Sequence, residues 1–230
     1  MAVVPARAGS KGLPGKNLKP ILGRPLFEWS ILAAIRCELI GKVVISTNDD
    51  QIVSHIAANY PDSNKVNLVV RPDSLCTDVS STEDALIHAL DHFDPDGDCI
   101  DWVVTLQPTS PIRTNNLIES CFSKLLSHDA DSLMTISRHT PFFYHINSDS
   151  LLEPIQHDPC DRPMKQDIED WMFHDNGNVY ISSPEVLKQT NCRIGKCCVG
   201  YETDLMQSLQ IDTIEEFDNI SHIASKYKIL

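Results

Sequence analysis

The residues best equipped for chemistry crowd the first two dozen positions. Val3 and Val4 run into Pro5-Ala6-Arg7-Ala8-Gly9-Ser10-Lys11-Gly12-Leu13-Pro14-Gly15-Lys16-Asn17, an apolar start followed by glycines, cations and a hydroxyl. Four of the nine glycines (Gly9, Gly12, Gly15 and Gly23) fall in this region. Arg7, Lys11, Lys16, Lys19 and Arg24 all precede the first acidic residue, Glu28, in a chain of net charge −13. Positive charge concentrated on an acidic chain points to one specific anion, because a broad anion-binding surface would spread its basic residues over a face. Glycines let backbone N–H groups approach such an anion and form a concavity around it. The planar fork of arginine suits phosphate. Two named phosphate motifs fail here. A Walker A loop starting at Gly9 needs glycine where Pro14 stands, Lys16 is followed by Asn17 where that motif has Ser or Thr after its lysine, and the dinucleotide fingerprint needs Gly-x-Gly. The loop reads as a phosphate cradle of another kind, against the plainer alternative of a solvated Gly/Lys turn.

At 230 residues and 42% hydrophobic, the chain can bury a core as one large domain or one domain with an extension. It has no apolar run of the ~18 residues that a membrane span requires. Nothing resembles a signal peptide, so a cytoplasmic protein is expected. With 32 acidic and 19 basic side chains, nucleic acid and anionic membranes are not expected partners. Cys37, Cys76, Cys99, Cys121, Cys160, Cys192, Cys197 and Cys198 form no CxxC pair and sit mostly in apolar or helical patterns, which suggests reduced thiols. His157 with Cys160, and Cys192 with Cys197 and Cys198, have only weak metal-ligand spacing.

Strand and helix signals alternate through residue 140. Strands are expected at 2–5, 42–47, 67–70, 102–106 and 132–137. Helices are expected from Pro25 to about residue 36, after a cap at Asn48 or Asp49, after Ser81 or Thr82, and near 115–127. This rhythm predicts a parallel sheet with helices on both faces. Ligands of such sheets bind beyond the carboxyl ends of the strands. The cationic loop, Arg71 and the stretch 107–113 all lie at those ends. Residues 139–166, rich in Pro, His and aromatics, read as an irregular or hairpin excursion suited to a lid or subunit contact. Beyond it come a turn at Asp175-Asn176-Gly177, strands at 178–182 and 197–201, a short helix at 184–189, and a final helix at 213–226 preceded by 208–212.

The loop from Pro5 to Asn17 resembles the signature of the acylneuraminate cytidylyltransferases, the CMP-sialic acid synthetases with their legionaminic and pseudaminic relatives. Further matches follow in family order: Arg71-Pro72, Asp78 and Ser80-Ser81-Thr82; Leu106-Gln107-Pro108-Thr109-Ser110-Pro111-Ile112-Arg113; Arg162-Pro163-Met164-Lys165-Gln166-Asp167; Asn176-Gly177; and Ile211-Asp212-Thr213. The resemblance implies an α/β nucleotidyltransferase (Rossmann-like) fold, its mostly parallel sheet flanked by helices. It implies a single domain over 1–230 with a small dimerisation excursion at about 139–180. It also implies transfer of CMP from CTP to the anomeric hydroxyl of a nine-carbon 2-keto sugar acid, with Mg²⁺ or another divalent cation, by a homodimer in surface polysaccharide biosynthesis.

Under that resemblance Lys16, Arg7 and Lys11 are the catalytic cations, with Lys16 at the α-phosphoryl group. Ala6, Ala8, Gly9, Ser10 and Asn17 would join them around the triphosphate. Arg71, Ser80, Ser81 and Thr82 would read cytosine and ribose. Gln107, Thr109 and Ser110 would hold the sugar acid, and Asp212 the metal. Lys165 and Tyr180, with His139 a weaker candidate, would reach sugar or phosphate, in the same or the neighbouring subunit's site. Two departures stand out. Gln210 replaces the first aspartate of the family's Asp-Ile-Asp, and Met164 stands where a second basic residue is usual. The alternatives are activation of an eight-carbon ulosonic acid and a sugar-nucleotide-binding module without turnover.

Overall fold

The computed structural model describes residues 1–77 and 79–227. Asp78, one of the residues carrying the resemblance, lies outside them. The chain opens with β1 (Ala2–Pro5), a tight hairpin of β2 (Pro20–Ile21) and β3 (Arg24–Pro25), and α1 (Leu26–Arg36). It continues through β4 (Val43–Thr47), α2 (Asp50–Asn59), β5 (Val66–Val70), α3 (Thr82–Phe93), β6 (Val103–Thr105) and α4 (Leu117–Ser127). Next come β7 (Ser132–His139), the hairpin strands β8 (Phe143–Ile146) and β9 (Leu152–Ile155), and β10 (Met172–Ser182). The last elements are α5 (Pro184–Thr190), β11 (Cys198–Glu202) and α6 (Ile214–Tyr227).

Seven strands form one sheet in the order β11-β7-β10-β6-β1-β4-β5. β1 pairs in parallel with β4 and β6, β4 with β5, and β7 with β11, while β10 runs antiparallel between β6 and β7. The apolar runs of β1 and β4 reflect burial on both faces, as expected for central parallel strands. Ala2, Val4, Val43 and Ile45 pack with Phe27 and Ile31 of α1, Ile52 of α2 and Phe122 of α4. Val3, Val44 and Val103 point to the opposite face, onto Leu86 and Leu90 of α3 and Leu187 of α5. A third cluster joins Leu13 of the cationic loop to Ile211 and to Ile220 and Ala224 of α6. Three helix starts follow local chemistry. The Asp49 side chain accepts the Gln51 N–H, Ser81 forms a capping box with Asp84, and Ser183 accepts the Val186 N–H ahead of Pro184.

The main α/β order agrees with the sequence, and two expectations change. Asp175-Asn176-Gly177 is no turn, since β10 runs through it with a register shift between Asp175 and Tyr180. That irregularity is a bulge, in which Gly177 takes a positive φ of 69°. The buried Asn176 amide donates to Ser137 Oγ and Thr203 Oγ1 and accepts from Thr135 Oγ1, so β7 and the residue that follows β11 hold it in place. Second, the excursion is shorter than 139–180, because residues from 172 onward belong to the main sheet. Residues 208–212 make an irregular approach to α6, tied by Ile211 N to the Thr109 carbonyl. Among the described residues no helix is long and apolar enough to cross a membrane. All eight cysteines are unpaired.

Burial pushes the Cys121 thiol up from 9.0 to about 12, with Glu119 adding to the shift and Lys124 opposing it. A raised folded pKa stabilises below the unfolded value and is lost as pH climbs through the window from 9.0 to about 12. Between pH 8.5 and 10 this loss amounts to about 1 kcal/mol. Urea unfolding at those two pH values should show Cys121→Val losing about 1 kcal/mol less than wild type. Equal losses would mean that the thiol is not shielded as the packing indicates.

Candidate active site

A cleft of about 380 Å³ opens beyond the carboxyl ends of β1, β5 and β6. The loop after β1 contributes Arg7, Ser10, Lys11, Lys16 and Asn17 to its wall. Arg71 follows β5, and Ser80, Ser81 and Thr82 lead into α3. Gln107 and Thr109 follow β6, and Gln210 and Asp212 come from the approach to α6. The strand-end rule thus gathers residues 7 to 212 at one edge. A larger cavity of about 920 Å³ lies between the end of α1, the start of α4 and residues 204–207. It balances Arg36 and Arg113 against Glu119 and Asp204. The smaller cleft holds the concentration of cations and hydroxyls, so the chemistry is assigned there.

The loop keeps its shape through contacts with β4 and α6. Thr47 Oγ1 donates to the Ala6 carbonyl at 2.6 Å, and Asn48 Oδ1 accepts the Ala8 N–H at 2.9 Å. Asn17 Nδ2 donates to the Arg7 carbonyl at 3.1 Å. Gly12 lies so close to the Asp212 carbonyl that a Cβ there would collide with it. That approach lets Lys16, buried at the foot of the loop, reach across. Its Nζ donates to Asp212 Oδ1 at 2.8 Å and to the Ile211 carbonyl at 2.9 Å. The Asp212 side chain remains 64% exposed on the cleft side of this pair.

Arg71 is 4% exposed, and Ser46 holds its guanidinium through both hydroxyl (3.1 Å) and carbonyl (2.8 Å) oxygens. Burial lowers its pKa, nearby Cys76 raises it, and Arg7 lowers it further. A cation seated on neutral oxygens keeps its charge available to a polar ligand. Arg7 Nη1 also donates to the Cys76 carbonyl at 3.3 Å, which ties the loop to the segment after β5. Arg113 is buried, with Nη2 on the carbonyls of Gln107 and Asn178 and Nη1 on Ser30 Oγ. It fixes the strip that carries Gln107 and Thr109.

Several expected site residues stand elsewhere. Ala6 and Ala8 do not line the cleft, and their N–H groups go to Ser46 and Asn48. Gly9 belongs to the loop but not to the cleft wall. Ser110 is fully buried and donates its hydroxyl to the Gly177 carbonyl at 3.2 Å, so it braces the bulge. Tyr180 is 2% exposed. Its hydroxyl donates to the Asp175 carboxylate at 2.7 Å and its ring lies 4.3 Å from the Arg193 guanidinium. Burial, followed by that carboxylate, drives the phenol's pKa well up. Lys165 sits exposed in a 3₁₀ turn of the excursion, and His139 stacks edge-on with His174 at 4.4 Å, neither lining this chain's cleft. Asp212 is also not the cap of α6. Thr213 Oγ1 accepts the Glu216 N–H, and Glu216 Oε2 accepts the N–H groups of Asp212 and Thr213.

The sequence did not single out Ser46 and offered Asn48 only as a helix cap, although both sit at the carboxyl end of β4, where the strand-end rule would place a supporting residue. It also gave Gln210 no partner. In the structure the Gln210 amide donates to the Asn176 carbonyl and covers Gly177, where a Cβ would collide with it.

Among the described residues no group of three or more His, Cys, Asp or Glu is arranged to hold a metal ion. One exposed carboxylate in a cleft lined by cations and hydroxyls fits Mg²⁺, which binds through one or two carboxylates plus substrate phosphates and keeps several waters. Asp212 is the residue that would hold it.

The family model described as Cytidylyltransferase matches residues 1–223. The N-acylneuraminate cytidylyltransferase of Escherichia coli O18:K1:H7 is 27% identical over 95% of this chain and 50% of its own length. The CMP-N,N'-diacetyllegionaminic acid synthase of Legionella pneumophila is 32% identical over 80% of this chain and 77% of its own. The chain therefore spans about half the length of the first of these relatives. A solved CMP:2-keto-3-deoxy-manno-octonic acid synthetase complexed with CTP superposes with a TM-score of 0.68 at 15% identity, covering 98% of both chains. That likeness shows the shared α/β nucleotidyltransferase fold. The cationic loop, the strand-end cleft and these matches agree that the chain belongs to the cytidylyltransferase family.

Proposed function

We propose that this chain transfers CMP from CTP to the anomeric hydroxyl of a nine-carbon 2-keto sugar acid of the sialic or legionaminic type, releasing pyrophosphate. The observation that carries this reading is the convergence of Arg7, Lys11, Lys16, Arg71 and Asp212 on one cleft. The names of the E. coli and L. pneumophila relatives support the sugar class.

In this reading the triphosphate lies along the loop, with Arg7, Ser10 and Lys11 on its phosphates. The sugar hydroxyl attacks the α-phosphorus and gives its proton to solvent, while the bond from that phosphorus to the bridging oxygen breaks and pyrophosphate leaves with the electron pair. Lys16 sits at the foot of the loop and neutralises the charge that develops on the α-phosphoryl oxygens. Fixed cations of this kind act where transition-state charge builds, and removing one such donor typically costs ~10²–10³ in rate. A divalent cation on Asp212 would neutralise the phosphate oxygens further. Arg71, Ser80, Ser81 and Thr82 face the nucleoside end, and Gln107 and Thr109 the sugar end.

The excursion supports a homodimer within the same proposal. In the β8–β9 hairpin, Tyr144 lies opposite Pro154 and Ile146 opposite Leu152. These side chains alternate onto one face that is apolar apart from the Tyr144 hydroxyl and is flanked by His157, whose ring meets Tyr144 edge-on at 4.8 Å. Ile146 is 69% and Leu152 66% exposed. A two-stranded hairpin is marginal on its own and gains from a cover. A second copy would supply it and would bring Lys165 and His139 towards a neighbouring cleft.

Two outcomes are expected. Pyrophosphate release should require CTP and a divalent cation and should be fastest with a nine-carbon acid in a panel that includes an eight-carbon one. Preference for the eight-carbon acid would overturn the sugar assignment, release only with another nucleotide would overturn the cytidine assignment, and CTP binding without release would leave a binding module. Light scattering should give twice the chain mass of 25.7 kDa for wild type and the single mass for Ile146→Asp/Leu152→Asp. A wild-type monomer would remove the hairpin from the interface.

A further inference from the structure

Arg193, in the turn between α5 and β11, joins two parts of the fold that reach the cleft from different sides. Its Nη1 donates to Glu83 Oε1 at 3.0 Å, with the two side chains 18% and 16% exposed. Its guanidinium lies 4.3 Å from the centre of the Tyr180 ring. Its carbonyl accepts the hydroxyl of Ser182, two residues further along the same strand. The turn is pinned in addition to the start of β7. Ser132 Oγ accepts the Gly195 N–H at 2.8 Å, and Asp131 Oδ2 accepts the Cys197 N–H at 3.1 Å. Arg193, Glu83 and Tyr180 all stand outside the cleft wall.

Glu83 sits in the first turn of α3, directly after Ser81 and Thr82 of the cleft. The Ser81–Asp84 capping box starts that helix without it, which leaves the Glu83 carboxylate to Arg193. At the other end the Tyr180 hydroxyl donates to both oxygens of Asp175, at 2.7 and 2.8 Å. Asp175 Oδ1 also accepts the Gly177 N–H at 2.9 Å. A Cβ at Gly177 would collide with Gln210 and press on Gln107 Oε1, so the bulge lies directly under the Gln107 side chain. A cation on the face of a phenol draws electron density from its oxygen and makes the hydroxyl a stronger donor. Arg193 thereby strengthens the bond that sets the Asp175 carboxylate, and that carboxylate sets the bulge.

We propose that Arg193 is a positioning residue for the sugar end of the cleft, acting through Tyr180 and Asp175 on the bulge that supports Gln107, and that Glu83 sets Arg193 in place. This rests on the reading that Gln107 and Thr109 receive the sugar acid. The consequence is specific in direction. A carboxylate on the helix that presents Ser81 and Thr82 to the nucleoside governs the fit of the other substrate. The links act in series, so breaking any one frees the bulge, and breaking a second adds little.

Steady-state pyrophosphate release tests this with wild type, Glu83→Ala, Arg193→Met, Tyr180→Phe and the double variant Glu83→Ala/Tyr180→Phe. The acid used is the one that wild type turns over fastest in the panel of nine- and eight-carbon acids. Tyr180→Phe keeps the ring beneath Arg193 and removes only the hydroxyl, and Glu83→Ala leaves the α3 cap in place. These two variants carry the test should Arg193→Met fold poorly. Each single variant should raise KM for the acid ~10-fold, with kcat and KM for CTP within ~3-fold of wild type. The double variant should match the weaker single variant instead of multiplying the two effects. A merely structural role would lower the melting temperature and the active fraction, and so kcat, with KM for the acid unchanged. That result would overturn the inference, as would multiplied effects in the double variant or a rise in KM for CTP in place of the acid. If wild type turns over none of the acids, the reading of the reaction falls, and the inference with it.

Discussion

A lysine from the first loop and an aspartate ahead of the last helix meet at 2.8 Å, and the cleft is organised around that contact. The pair closes a span of 196 residues. For Lys16 to reach Asp212, the loop must lie flat against the approach to α6, which requires Gly12 at the closest point. Leu13 must be anchored, which Ile211, Ile220 and Ala224 achieve through a small apolar cluster of their own. α6 must start one step later, and the reciprocal Thr213–Glu216 cap arranges this. The Asp212 side chain is thereby spared from capping and left to the cleft. Sheet, loop and terminal helix thus serve one juxtaposition of opposite charges at the strand ends.

Charge placement explains how so acidic a chain presents a cationic cleft. Three cations of the cleft are held by oxygens of the fold. Ser46 seats Arg71, the Cys76 carbonyl takes Arg7, and the Ile211 carbonyl takes Lys16 alongside Asp212. Preorganised cations of this sort need little rearrangement when charge develops on a phosphoryl group. Arg113 plays a different part. Buried and bonded to carbonyls, with its pKa lowered to about 9 by burial, it braces the strip that presents Gln107 and Thr109.

Much of this was legible in the sequence because it is local. The glycine- and cation-rich loop, the β-branched runs and the caps at Asp49 and Ser81 each announce themselves within a few residues. Even the Thr213-x-x-Glu216 cap has its own short signature. What escaped depends on distant partners. Asp175-Asn176-Gly177 has the composition of a turn, but Ser137, Thr203 and Thr135 hold it as a bulge inside a long strand. Tyr180 and Ser110 carry polar groups suited to a ligand, yet Asp175 and Gly177 claim them. Lys165 sits in an excursion that this chain alone does not fold over its cleft. Gln210 was visible as a departure, but its docking on Asn176 required the bulge to be known first.

The central claim is that the cleft around Lys16 and Asp212 receives the triphosphate of CTP. An electron-density map of this chain with CTP bound tests it most directly. The account predicts the triphosphate along the loop that carries Arg7, Ser10 and Lys11, with Lys16 Nζ within hydrogen-bond distance of an α-phosphate oxygen. A map showing CTP bound away from this loop, or with Lys16 Nζ out of reach of every phosphate oxygen, would contradict it.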